Sequence, residues 1–151
     1  MIALLQRVSE ASVTVDGEVV ARIGAGLLVF LAMERGDGPA QCLRMVERIL
    51  GYRIFADEAG RMNCSLLDSR GDLLLVPQFT LAADTRKGSR PSFTPAAEPQ
   101  AGARLFERCT SLAGERLGEV QTGRFGADMQ VALINDGPVT FSLRVSPDGA
   151  A

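Results

Sequence analysis

The feature that most constrains the fold is the sequence NDGPVT at residues 135–140, which lies between two apolar β-type segments at 129–134 and 139–145. An Asp-Gly pair between such segments is a strong turn signal, because glycine adopts positive φ without steric cost. The local pattern therefore predicts a β-hairpin with its tip here. Pro138 adds a second constraint, since it lacks an N–H, fixes its own φ and restricts Gly137 before it. A tip this rigid needs a reason beyond reversing the chain.

Hydrophobic periodicity predicts the other elements. A turn at Asp16 and Gly17 makes a second hairpin, and the continuous apolar run at 27–33 indicates a central strand covered on both faces. Two amphipathic helices are predicted at 40–51 and 99–117. The remaining predicted strands lie at 4–15, 18–23, 53–55, 73–76 and 120–122. The fold class is therefore α+β, with a mostly antiparallel sheet or barrel and two helices on one side.

Length and hydropathy bound the class of protein. The chain has 151 residues, which predicts a single domain at 1–145 followed by a frayed tail at 146–151. No apolar run approaches the ~20 residues that a membrane helix needs. The first residues lack the basic and small-residue features of a signal peptide. We therefore expect a cytoplasmic protein that does not contact membranes.

The absence of histidine excludes several kinds of active site. It removes Ser-His-Asp and Cys-His arrangements and most transition-metal sites. The three cysteines, Cys42, Cys64 and Cys109, form no CxxC pair, so neither a disulfide framework nor a zinc site is expected. No metal or other cofactor is predicted. A thiol enzyme that uses Cys64 as its nucleophile is an open alternative, although such an enzyme would need a base.

The sequence QFT at 78–80 directly follows a predicted buried strand, a place where sites are often built. Without histidine, Thr80 has no evident base to make it a nucleophile. The backbone amides of Phe79 and Thr80 are candidate donors to an oxyanion, and Gln78 is a candidate polar contact. Ordinary hydrogen bonding at a strand end is the alternative interpretation.

Charge gives a weaker signal. The net charge is −2, which argues against a broad electrostatic grip on nucleic acid. Arg86, Lys87 and Arg90 form the best local basic patch, inside a long irregular segment at 82–97. A solvated loop is the alternative for this patch.

Four stretches together point to one family. They are MIALLQRV at 1–8, LGYRIF at 50–55, QFTLA at 78–82 continuing to RPSF at 90–93, and TGRF at 122–125 leading to NDGPVTF at 135–141. In these motifs, and in their order along nearly the whole chain, the sequence resembles the D-aminoacyl-tRNA deacylase family. The resemblance implies that family's α+β fold and a homodimer.

The resemblance also implies an activity. Members of the family hydrolyse the ester that joins a D-amino acid to the 3′-terminal adenosine of tRNA, remove glycine from mischarged tRNA and spare L-aminoacyl-tRNA. The catalytic pocket is then expected at Gln78, Phe79 and Thr80. Phe125 and Met129 are the predicted substrate-binding residues. A non-catalytic module that binds the tRNA acceptor end is the alternative function.

Selectivity is assigned by the resemblance to a Gly-Pro motif with a cis bond, which maps onto Gly137 and Pro138. In the family this motif enters the pocket of the other subunit, where its carbonyls exclude an L-side chain, and Arg7 matches an arginine that holds it. The 2′-hydroxyl of the tRNA is expected to assist attack by water. Pro77 departs from the family, because a serine commonly precedes Gln-Phe-Thr, and proline removes a hydroxyl and an N–H.

Overall fold

A computed structural model describes residues 1–147 of the chain. The strands are β1 (Ile2–Val15), β2 (Glu18–Ile23), β3 (Gly26–Ala32), β4 (Phe55–Ala56), β5 (Met62–Cys64), β6 (Asp72–Pro77), β7 (Gln121–Thr122) and β8 (Gln130–Arg144). The helices are α1 (Pro39–Gly51), α2 (Leu66–Ser69) and α3 (Pro99–Leu117), and a 3₁₀ turn spans Phe79–Ala82.

The sheet is organised around β1, because both edges of this strand are paired. Along one edge it runs antiparallel to β8, from Ile2 opposite Arg144 to Thr14 opposite Gln130. Along the other edge it pairs first with β3 and then with β2. The predicted β1–β2 hairpin is confirmed, with the two turn residues before β2 in positive φ.

The other strands make the sheet mixed. β6 pairs in parallel with β3, and β7 pairs in parallel with β6. β2 also contacts β6 and β7, so the sheet curls toward a nearly closed barrel. The predicted α+β class is confirmed, although parallel pairings stand beside the antiparallel ones that β1 makes. The parallel pairs require crossover connections, and α1 and α3 supply these.

Two apolar layers cover the faces of the central strands. Leu27 on β3 and Leu73 on β6 belong to an outer layer that includes the buried faces of α1 and α3. Their neighbours Leu28 and Leu74 point to the opposite face, into the interior of the curled sheet. This alternation confirms the prediction of a strand covered on both sides, and it makes β3 and β6 a rigid support for the loops at their ends.

The predicted hairpin at 129–145 is wrong, because this segment is one long strand. Asn135 of β8 lies opposite Val8 of β1, and Thr140 lies opposite Gln6. Four residues of β8 therefore face only Arg7, and they form a large bulge instead of a reversal. Both apolar segments pair with the continuous edge of β1 rather than with each other. A local turn signal carries no information about that distant partner.

The bulge is held by its own side chains. The Asn135 side-chain carbonyl accepts a hydrogen bond from the Val139 amide at 2.8 Å, and its amide nitrogen donates to Thr140 Oγ1 at 2.7 Å. Gly137 and Pro138 between these anchors are exposed. The bulge thus presents a short length of backbone outward from the sheet.

Three further points differ from the sequence prediction or extend it. A third, short helix, α2, begins with Ser65 and Asp68 in reciprocal hydrogen bonds, a cap that the prediction of two helices missed. Of the predicted tail, residues 148–151 lie outside the described part, while the Pro147 carbonyl accepts a hydrogen bond from Gln41 Nε2 at 3.0 Å. Within residues 1–147 none of the helices combines the length and apolar character of a membrane span.

Candidate active site

A pocket of about 490 Å³ opens where the end of β6 meets the loop before β8 and the start of α3. Four of the predicted site residues line it, namely Gln78, Phe79, Phe125 and Met129. The first two and the last two are separated by more than forty positions in the chain. The fold therefore brings together two stretches whose proximity no local pattern could show.

The end of β6 shapes one wall of the pocket. The Gln78 amide donates to the Leu31 carbonyl at 2.9 Å, which extends the parallel ladder by one bond beyond Pro77. The chain then tightens into the 3₁₀ turn that begins at Phe79. The backbone amides of Phe79 and Thr80 accordingly have no carbonyl one turn earlier to bond, and within residues 1–147 neither has a backbone acceptor. Two adjacent donors are thus available beside the pocket.

Thr80 has a restricted chemical role in this arrangement. Its side chain is exposed and does not line the pocket. The Gln78 side-chain amide donates a hydrogen bond to its hydroxyl oxygen. An amide is not a base, so this contact orients the hydroxyl without activating it for attack.

Two glycines leave room for the side chains that form the opposite wall. A Cβ at Gly102 of α3 would lie 3.2 Å from Cζ of Phe125, and a Cβ at Gly123 would lie 2.8 Å from Sδ of Met129. The Phe125 ring also packs against Phe106, with the ring centroids 6.4 Å apart. Neither glycine was predicted as a site residue from the sequence. A glycine inside the helical pattern of α3 was the available signal, since it costs about 1 kcal/mol relative to alanine and needs a packing reason.

Arg7 and the bulge lie outside the pocket of their own chain. The Arg7 guanidinium donates from Nε to the Asp136 carbonyl and from Nη1 to the Ile54 carbonyl, each at 2.9 Å. The Gly137–Pro138 peptide is cis, and Gly137 has a φ of 142°. A Cβ on Gly137 would lie 2.6 Å from Cγ2 of Val139. None of Arg7, Gly137 and Pro138 lines the pocket described above.

The irregular segment at 82–97 is attached to the pocket wall. The ring of Phe93 meets the ring of Phe79 edge to face, with centroids 5.0 Å apart. Within the segment, the Arg86 guanidinium donates to both carboxylate oxygens of Asp84, at 2.9 and 2.7 Å. These hydrogen bonds lower the pKa of Asp84 to about 2. The Asp84 carboxylate is therefore committed to Arg86.

The cysteines take no part in the pocket. Cys42 and Cys109 are buried in the outer apolar layer. The neighbouring Cys42 thiol, together with burial, raises the pKa of the Cys109 thiol. Cys64 is half-buried on β5 opposite Phe55, and it is not among the residues that line the pocket. A thiol enzyme built on Cys64 gains no support from this placement.

Comparison with known proteins decides the family. Residues 4–144 match the family model described as D-Tyr-tRNA(Tyr) deacylase. The chain belongs to this family. It is 65% identical over 147 residues to the D-aminoacyl-tRNA deacylase of Thioalkalivibrio sulfidiphilus, with 97% of this chain and 99% of the relative covered. It is 61% identical over 147 residues to the D-aminoacyl-tRNA deacylase of Nitrosococcus oceani, with 97% and 95% covered.

Solved structures agree with the fold of this deacylase family member. The c-Myc DNA unwinding element binding protein superposes with a TM-score of 0.91 at 37% identity, covering 95% of this chain and 98% of that one. A probable eukaryotic D-amino acid tRNA deacylase superposes with a TM-score of 0.80 at 19% identity, covering 94% and 98%, which bears on the fold alone. The family resemblance predicted from four sequence stretches is confirmed.

Proposed function

We propose that this chain hydrolyses the ester between a D-amino acid and the 3′-terminal adenosine of tRNA. The observation that carries the proposal is the pocket in which Gln78 and Phe79 face Phe125 and Met129, in a member of a deacylase family. Aromatic and thioether side chains beside a polar amide suit an unstacked nucleobase and its sugar. The protein is proposed to act in the cytoplasm as a single domain over residues 1–145.

The chemistry uses backbone donors and the substrate's own groups. Water attacks the ester carbonyl carbon, the bond to the ribose 3′-oxygen breaks, and that oxygen takes a proton. The amides of Phe79 and Thr80 stabilise the negative charge on the carbonyl oxygen. The neighbouring 2′-hydroxyl of the tRNA assists the attacking water, because this histidine-free chain offers no imidazole base. Position and charge stabilisation are then the protein's contribution.

Thr80→Ala tests this division of work. If the Thr80 hydroxyl is not the nucleophile, the variant should keep part of the rate, with a loss on the order of 10-fold instead of the much larger loss of a nucleophile. Single-turnover deacylation of D-aminoacyl-tRNA measures it. An acyl group trapped covalently on Thr80 in the unmodified protein would contradict the mechanism.

Selectivity is proposed to come from a second copy of the chain. In a homodimer, the exposed bulge of one subunit enters the pocket of the other, and the carbonyls of Gly137 and Pro138 occupy the space of an L-side chain. Three observations support this. The bulge lies outside its own pocket, Arg7 fixes it at its base, and any side chain on Gly137 would collide with Val139. Rejection by backbone atoms leaves D-side chains pointing out of the pocket.

Glycine has no side chain for the carbonyls of Gly137 and Pro138 to exclude, so glycyl-tRNA fits the same site. We therefore propose that glycine on a mischarged tRNA is also removed. D-aminoacyl-tRNA, its L-counterpart and glycyl-tRNA, each incubated separately with purified protein, should show release of the first and the third only. Equal release of the D- and L-amino acids would contradict the proposed selectivity. Release from none of the three substrates would contradict the proposed hydrolase activity.

Pro77 favours one alternative, a non-catalytic module that binds the tRNA acceptor end. It lines the pocket at the end of β6 and has no N–H to offer a substrate. The two free amides beyond it remain in place, which favours catalysis. Pro77→Ser separates the alternatives. Activity in the variant and none in the parent would identify a binding module, whereas comparable activity in both supports the hydrolase.

A further inference from the structure

A closed basic loop stands beside the pocket and has no role in the mechanism above. Residues 85–91 form the loop, and two backbone hydrogen bonds close its base, from the Asp84 amide to the Ser92 carbonyl at 2.8 Å and back at 3.0 Å. The loop borders an open concavity with a volume of about 400 Å³. This concavity is lined by Asp84, Arg86, Lys87, Arg90 and Ser92. A defined concavity distinguishes this loop from an extended solvated segment.

The charge of this concavity is positive. Asp84 is engaged by Arg86 through both carboxylate oxygens, so these two charges offset each other. Lys87 and Arg90 form no ion pair with any carboxylate in the described part of the chain. Two uncompensated cations therefore face one concave surface in a protein whose net charge is −2.

The loop is fixed to the body of the protein next to the pocket. Phe93 follows its base and packs edge to face on Phe79, which lines the pocket wall. Arg35 donates from its backbone amide to the Pro95 carbonyl at 2.9 Å and pairs with Glu98 at 2.7 Å. These contacts place the loop next to the residues that receive the terminal adenosine in the proposed function.

We propose that the concavity at 85–91 is a phosphate-binding subsite for the single-stranded 3′ end of tRNA. It takes the phosphodiester groups on the 5′ side of the terminal adenosine while that nucleoside occupies the pocket. The Arg90 guanidinium suits bidentate contact with phosphate oxygens, and Lys87 adds a point charge. This inference rests on the proposed function. It explains how a protein of negative net charge engages a polyanion, through one local patch.

The test compares two substrates that differ in their phosphates. D-aminoacyl-tRNA carries the 3′ strand, whereas a D-aminoacyl ester of adenosine carries the same reacting group without phosphates. The Lys87→Ala, Arg90→Ala double variant should lose most of the preference for tRNA, measured as the ratio of kcat/KM for the two substrates. Arg116→Ala is the matched control and should keep that preference, since Arg116 lies about 25 Å along α3 from Pro99 at the pocket.

Salt dependence gives an independent readout. Each phosphate contact to a single strand contributes a slope of about −0.7 in log affinity against log salt. Two contacts predict that raising salt from about 50 to about 200 mM lowers kcat/KM for tRNA about sevenfold more in the parent protein than in the double variant. The ester of adenosine should show no such difference between the two proteins.

The outcomes separate this inference from the proposed function. If the parent protein cleaves neither substrate, the proposed function is wrong. If it cleaves both, and the double variant keeps the preference for tRNA and the salt slope, the subsite is wrong while the function stands. A variant with Lys87→Glu and Arg90→Glu should lose still more of the tRNA preference. Thermal unfolding of each variant confirms that the loop change leaves the fold intact.

Discussion

Replacing Gly102 with alanine tests how closely the active site depends on the Phe125 ring. Gly102 lies on the first turns of α3, and its added Cβ would be 3.2 Å from Cζ and 3.6 Å from Cε2 of Phe125. The shorter distance is tighter than ordinary van der Waals contact, so the ring must yield by a few tenths of an ångström. The ring lines the pocket, so its displacement changes the shape of the site.

The magnitudes for stability and activity differ. Alanine is favoured over glycine inside a helix by about 1 kcal/mol, and an off-rotamer ring costs a similar amount, about 0.5–1.5 kcal/mol. The free energy of unfolding of Gly102→Ala should therefore stay close to that of the parent. A misplacement of about 1 Å costs about 100-fold in rate, so a few tenths of an ångström corresponds to a loss on the order of fourfold.

Gly114→Ala on the same helix is the matched control, because a Cβ there meets nothing within 4 Å. It should gain up to about 1 kcal/mol, seen as a rise of about 2–4 °C in Tm, with unchanged kcat/KM. Thermal unfolding and deacylation of D-aminoacyl-tRNA measure both variants. A Gly102→Ala protein that gains the full stability of the control would refute the contact between Gly102 and Phe125. A variant that gains no stability yet keeps full activity would refute the assignment of Phe125 to the site.

Three further predictions follow from local geometry. Gly26→Ala should destabilise the fold by about 3 kcal/mol or more, because its Cβ would lie 2.0 Å from the Asp72 carbonyl oxygen across the parallel β3–β6 pair; an unchanged Tm would contradict that packing. Arg86 lowers the pKa of Asp84 to about 2, so the Asp84 carboxylate stays ionised as pH falls and protonates only near pH 2. In Arg86→Ala, the midpoint of the Asp84 titration, measured by NMR, should move up toward the usual value for an aspartate. A thiol reagent should label Cys64 alone in the folded protein, since the other two cysteines are buried, and all three after denaturation; rapid labelling of two or more native thiols would refute this.

Local pattern predicted those parts of the fold that depend on nearby residues. The apolar run of β3 and the amphipathic faces of α1 and α3 bury most of the side chains that their periodicity indicated, because the spacing of apolar residues reflects burial on one side or on both. Leu43 on α1 is an exception, since the periodicity predicts its burial and the structure leaves it exposed. The turn at Asp16 and Gly17 was also correct, since the strands on either side of it, β1 and β2, pair with each other.

The wrong hairpin and the unpredicted contacts of the pocket share a physical cause, which is the choice among distant partners. The segment around Gly137 carries a turn signal, yet the strand residues on either side of it pair with the long edge of β1. The pocket likewise joins the end of β6 to the loop containing Phe125, and nothing in either stretch encodes their contact. Gln78 and Phe79 were identified as site candidates from their position after a buried strand, whereas Gly102 matters only through a ring that reaches it in the folded chain.

We propose that the pocket of one subunit and the Gly137–Pro138 bulge of its partner form one D-selective site. Two variants isolate the halves. Gly137→Val displaces the bulge, since even a Cβ would lie 2.6 Å from Val139. Ala127→Trp fills the pocket that Ala127 lines. Each variant alone should be inactive on D-aminoacyl-tRNA.

The most direct measurement is the activity of the two variants co-expressed in equal amounts. Random pairing makes half of the dimers mixed, and each mixed dimer joins one intact pocket to one intact bulge. Recovery of about one quarter of the parent activity is expected, still selective for the D-ester. No recovery from verified mixed dimers would contradict the claim that the bulge acts in its partner's pocket.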